Sequence, residues 1–201
     1  MLFRSNALPV KIFLCPSRRS TDVGAKVDYA SCVDAPGGGI DWMVPGSHAI
    51  LPSYGAAVMM SQVTNGAGTS NTIMLAHKGL ATSDYTNTSI TSNHWDTDWA
   101  DPTYWNGYGY GDHARDPSNG PPVMDPTTDG GAPDGWDMES IFTSAHTSAM
   151  PVLMGDASVR MYAYTYSDPN YASAGANQEG PTTTTFCMLF SWNRGFAISP
   201  P

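Results

Sequence analysis

A chain of 201 residues is long enough for one domain with a real core, which would bury roughly 70% of its unfolded surface. Only 13% of residues are charged, and 20 glycines and 16 prolines accompany them, so strands, turns and loops should outweigh long helices. Acids outnumber bases 18 to 9 and no run of 18 apolar residues occurs, which argues against nucleic-acid binding and against a membrane-spanning helix.

Almost all the acids are aspartates, since Glu139 and Glu179 are the only glutamates. Aspartate favours turns and hard cations rather than helix interiors. The bases are placed unevenly: Arg4, Lys11, Arg18, Arg19 and Lys26 fall at the N-terminal end. The opening "MLFRSNALPVKIFLCPSRRS" lacks the apolar core and cleavage site of a signal peptide. It begins almost inside a strand-like run, as expected of a fragment whose export signal lies upstream.

In chain order, "PVKIFLC" and "AKVDYASC" read as a first pair of strands. Cys15 and Cys32 sit at their edges, and a bridge closing that loop would contribute about 3 kcal/mol. Two buried free thiols are the alternative. Cys187, in an apolar run, reads as a buried free thiol, and no CxxC pair exists to support a zinc ribbon. "AAVMMSQV" and "TIMLAHK" are short apolar runs joined by "TNGAGTSN", whose composition is turn chemistry.

From about residue 83 to 135 periodicity fails, and an irregular aromatic and acidic insertion is expected. Trp95, Trp99, Trp105 and Tyr108 lie there among carboxylates, a composition that suits a stacking platform for sugar rings or a private core for the loop. Asp125, Asp129, Asp134 and Asp137 alternate with glycines and could gather oxygens around calcium, although their spacing is not that of an EF-hand.

Order returns with "MPVLM" and "SVRMYAYTY", the second alternating with the period of a half-buried strand. "TTTFCMLFSWNRG" places Phe186, Leu189 and Phe190 at helical spacing and predicts one short C-terminal helix. His146 and Asp156 flank the first of these strands. Fully extended, ten residues separate side chains by about 33 Å, so the pair reads as the two ends of a strand rather than a catalytic dyad. Asp156 is expected to hydrogen-bond the amides of its own turn, a type I or bulged connection. The familiar nucleophile, nucleotide and zinc-protease signatures are absent, and the five histidines are scattered without ligand spacing.

Several of these segments, taken in order, resemble one family. "FTSAHTSAMPVLMGDASVR" is similar to the motif of the prepilin-type processing-associated H-X9-DG proteins, typical of planctomycetes. "FLCPSRR" resembles that family's "LCPS" segment, and "GTSNTIMLAHK" its "DGTSNTI" strand. Ala157 stands where the motif has glycine, and His77 where a glutamate commonly follows. The resemblance implies a pilin- or pseudopilin-like globular head, whose N-terminal helix is absent from this chain. It further implies export to the cell envelope, surface or extracellular space, and partners that are copies of itself or other pilin-like subunits. Membrane attachment would run only through the absent helix.

The expectation is therefore one α+β, mainly antiparallel β domain over residues 1–201 with a structural, non-enzymatic role. No cofactor is required, and calcium is possible. A secreted carbohydrate- or ligand-binding module using the aromatic loop, with surface glycans as partners, is the alternative.

Overall fold

The structure is a computed structural model and describes residues 9–24, 26–32, 58–86, 88, 114–115, 122–128, 141–166 and 185–194. Its centre is a sheet in the order β3-β1-β2-β6-β7. The strands are β1 (Tyr29–Cys32), β2 (Ile73–His77), β3 (Ala114–Arg115), β6 (Ala149–Met154) and β7 (Val159–Ala163). β1, β2, β6 and β7 pair antiparallel, and β3 adds to β1 in parallel. A second, two-stranded parallel ladder joins β4 (Val123–Met124) to β5 (Thr143–Ser144). Among the described residues, two short α-helices, α1 (Met60–Asn65) and α2 (Thr185–Phe190), join the strands in a mixed α+β fold that is mainly β.

β6 shows why this sequence makes a sheet with one dry face. Met150, Val152 and Met154 alternate along it and are all buried, while Pro151 and Leu153 between them are only half-buried. The buried side meets α2, whose Phe186, Leu189 and Phe190 enter the same core as Ile73, Ala76 and Tyr162. Phe186 stands edge-on to Phe142, Tyr162 and Phe190, with ring centroids 5.0–5.3 Å apart, the geometry the ring quadrupoles favour. In β7 the buried member is Tyr162, with Tyr164 packing behind it, while Val159 and Met161 are exposed. The face carrying the tyrosines is the inward one.

The β6–β7 hairpin closes as the sequence leads one to expect. The Ala157 amide donates to the Met154 carbonyl at 3.0 Å, and the Met154 amide donates to Ser158 at 2.9 Å. Asp156 Oδ1 accepts from the Ser158 amide at 2.9 Å and from its hydroxyl at 2.6 Å. Ala157 absorbs the bulge with φ +67°, a left-handed conformation that a Cβ disfavours.

One expectation fails. "PVKIFLC" does not pair as a strand: Lys11–Phe13 is a 3-10 turn, leading into hydrogen-bonded turns at residues 15–19. The apolar run "AAVMMSQV" leads into α1, and the side chain of Gln62 accepts the Met59 amide at its start. α1 ends at Gly66, where a Cβ would lie 2.2 Å from the Trp192 carbonyl oxygen, so only glycine lets the helix end dock on the C-terminal segment.

Candidate functional site

The sheet's second face is used at the β1–β2 end. Tyr29 lies opposite His77 in the ladder, and Ala30 opposite Ala76. Because strand side chains alternate, Ala76 faces the α2 core and His77 the other side. There the His77 ring stacks at a tilt on Tyr29, centroids 5.1 Å apart, and on His146, 5.5 Å apart. Cys15, from the N-terminal turns, completes the group. One ligand-type atom from each of Cys15, His77 and His146 lies within 4.8 Å of the other two. Cys15 and His77 are each 2% exposed, and His146 is half-buried in the loop between β5 and β6.

Each member is held by a neighbour. The Cys15 amide donates to Asp28 Oδ2 at 2.6 Å. Ser144 Oγ and His77 Nδ1 are hydrogen-bonded at 2.8 Å, and the His146 amide donates to the same hydroxyl at 3.4 Å. Burial, reinforced by the positive charge of Arg18 and by His146, lowers the His77 pKa from 6.5 to about 3. His77 is thus a neutral imidazole at physiological pH. It is too weak a base to take a proton from Cys15, and the buried thiol is poorly placed to meet a substrate, so a cysteine–histidine nucleophile is disfavoured.

Beside this cluster runs a buried ionic hub. Arg18 Nε and Nη2 donate to the two oxygens of Asp125 at 2.8 and 2.7 Å, a bidentate pair. Nη2 also donates to the carbonyls of Lys78 at 2.8 Å and Thr143 at 2.9 Å. Asp125 further accepts from Tyr85 Oη at 2.5 Å and from Thr143 Oγ1. Arg19 Nη2 lies 2.5 Å from Asp28 Oδ1, and Arg18 Nη1 4.0 Å from the same atom. Burial by itself would lower the Arg18 pKa, but Asp125 and Asp28 outweigh it and hold the guanidinium charged. Burial and the bond to Asp125 push the Tyr85 hydroxyl well above the ordinary tyrosine range.

The sequence-level candidates fare unequally. Neither Cys15 nor Cys187 is in a disulfide, so the expected Cys15–Cys32 bridge is not formed. Asp28 holds the Cys15 backbone where a bridge would have held its side chain. Asp125 is buried, and both of its oxygens are spent on Arg18, Thr143 and Tyr85, which removes it from an open calcium loop. Asp129, Asp134, Asp137, Trp95, Trp99, Trp105 and Tyr108 lie outside the described residues. His146 precedes β6 and Asp156 follows it in the exposed turn, so the two do not form a dyad. What sequence reasoning missed is the meeting of His77 and Cys15 with His146. The available signal was parity: His77 ends β2 on the face opposite its core residue Ala76.

Fold and site together define a small, mainly β α+β domain with a closed polar centre built around Arg18 and a Cys–His–His cluster. Residues 2–168 match a protein family described as "Protein of unknown function (DUF1559)", and the chain belongs to that family. No curated protein matches the chain, and no solved structure does. Among the described residues, no helix is long and apolar enough to cross a membrane.

Proposed function

We propose that this chain is the globular head of a pilin- or pseudopilin-like protein of the H-X9-DG type, exported to the cell envelope, with a role in assembly rather than catalysis. The observation that supports this reading is how the motif residues are used. "FLCPSRR" supplies Arg18, which ties the N-terminal turns to the carbonyls of Lys78 and Thr143 and to Asp125. "GTSNTI" forms the 3-10 turn Thr69–Asn71 that leads into β2, and the carbonyls of Thr69 and Thr72 accept the amides of Asp156 and Gly155, docking the hairpin turn. His146 and Asp156 bracket β6. Residues that recur as motifs here hold the fold, which suits a scaffold whose work lies in its surface and its partners.

The reading is tested in the native cell. The full-length protein, tagged at its C-terminus, is followed through cell fractionation and mechanical shearing of the surface. Recovery in the envelope and sheared fractions is expected; recovery in the cytosol alone overturns the proposal.

A further inference from the structure

We propose that Cys15, His77 and His146 form a binding site for a single zinc-class transition-metal ion. Three segments far apart in sequence bring one sulfur and two imidazole nitrogens within 4.8 Å of one another. A tetrahedral ion with bonds of about 2.0–2.3 Å needs its donors roughly 3.3–3.6 Å apart. The contraction required is about 1 Å, and His146, half-buried on a short loop, is the member free to supply it. One thiolate with two imidazoles is a donor set for zinc and its neighbours, not for calcium or magnesium, which take oxygen.

The surroundings match what a metal site needs. Ser144 Oγ occupies Nδ1 of His77, leaving Nε2 as the ligating nitrogen. Metal binding selects the tautomer in which Nδ1–H donates to the serine, the outer-shell bond that metal-ligating histidines usually make. Asp28 fixes the Cys15 backbone, and the Tyr29 ring walls one side of His77. The bidentate bond to Asp125 offsets part of the field that the nearby cation Arg18 sets against an incoming ion. Cys15 and His77 are buried and His146 is half-buried, so His146 is the ligand nearest to solvent. Three protein ligands leave a fourth position for water or an exogenous group.

The test uses the 201-residue chain, stripped with a chelator and titrated with Co2+ as a spectroscopic probe, then with Zn2+ in competition. One cobalt ion per chain is expected, with thiolate-to-cobalt charge-transfer absorption that zinc abolishes. Cys15→Ser removes that absorption. His146→Asn, at a position half-open to solvent and outside the core, weakens cobalt binding at least tenfold. A chain that binds no cobalt, or binds it without the thiolate band, overturns the proposal. So does a His146→Asn variant that binds like the parent. None of these readings depends on where the protein resides in the cell, so a cytosolic protein that binds zinc would overturn the proposed function and leave the site standing.

Discussion

Ala157 is the residue at which local chemistry and fold conflict most openly. Its φ of +67° places a β-carbon in the left-handed region, while Asp156 on one side and Ser158 on the other fix the turn by hydrogen bonds to the same carboxylate oxygen. The turn geometry is therefore dictated by the hairpin register and by Asp156, and alanine tolerates it at a cost. Glycine at this position would take that φ without penalty. Ala157→Gly relieves about 1–2 kcal/mol of backbone strain and adds unfolded-chain entropy worth somewhat less, so a net gain of about 0.5–1 kcal/mol is expected. A urea melt of the two proteins reads it directly. An unchanged or lower midpoint would show that the Asp156 bonds carry the turn without strain.

One arginine ties together elements that the apolar core does not reach by itself. Arg18 reaches the backbone of the segment after β2, the backbone of β5 and the carboxylate that follows β4. Arg18→Met keeps the length but leaves Asp125 buried without its counter-ion, and a loss of about 3–5 kcal/mol is expected. Adding Asp125→Asn should recover part of that loss, and a double variant no more stable than Arg18→Met would refute the pairing account. This hub marks the limit of what sequence patterning reveals. β6, β7 and α2 were legible because each carries its own periodicity and its own stop signal. "PVKIFLC" has the composition of a strand, yet its amides and carbonyls go to local turns, and the Phe13 carbonyl accepts from Asp28. Burial of Arg18, Arg19, Lys26 and Lys78 was invisible for a related reason. A basic cluster reads as a solvated face unless its carboxylate partners, here 10 and 107 positions from Arg18, are known to converge. The Cys15–His77–His146 cluster is long-range in the same sense, and no ligand spacing along the chain could announce it.

For the whole molecule these buried groups set a pH window of stability. His77 is faced by Arg18, His146, Tyr29 and Cys15, and it stays neutral in the native state down to about pH 3, whereas the unfolded chain protonates it near 6.5. Between those values the unfolded state binds the extra proton, so stability rises with pH and is lost as pH falls, by up to about 1.4 kcal/mol per unit. Hydrogen bonds from Ser158 lower the Asp156 pKa, which acts in the same direction at more acidic pH. On the alkaline side, burial raises the pKa of Tyr29, Tyr85 and Tyr164. The unfolded chain then loses protons near pH 10 that the native state retains, and stability falls again. A plateau between about pH 7 and 9 is expected, with an acid limb that begins near 6.5, well above the carboxylate range. Urea midpoints measured from pH 3 to 11 in the presence of chelator trace this curve, the chelator ensuring that proton binding alone is read. His77→Asn cannot ionise, so it should flatten the limb between pH 6.5 and 4 while lowering the plateau. If the variant keeps the same acid slope as the parent, the loss belongs to other groups and the buried neutral histidine is not its source.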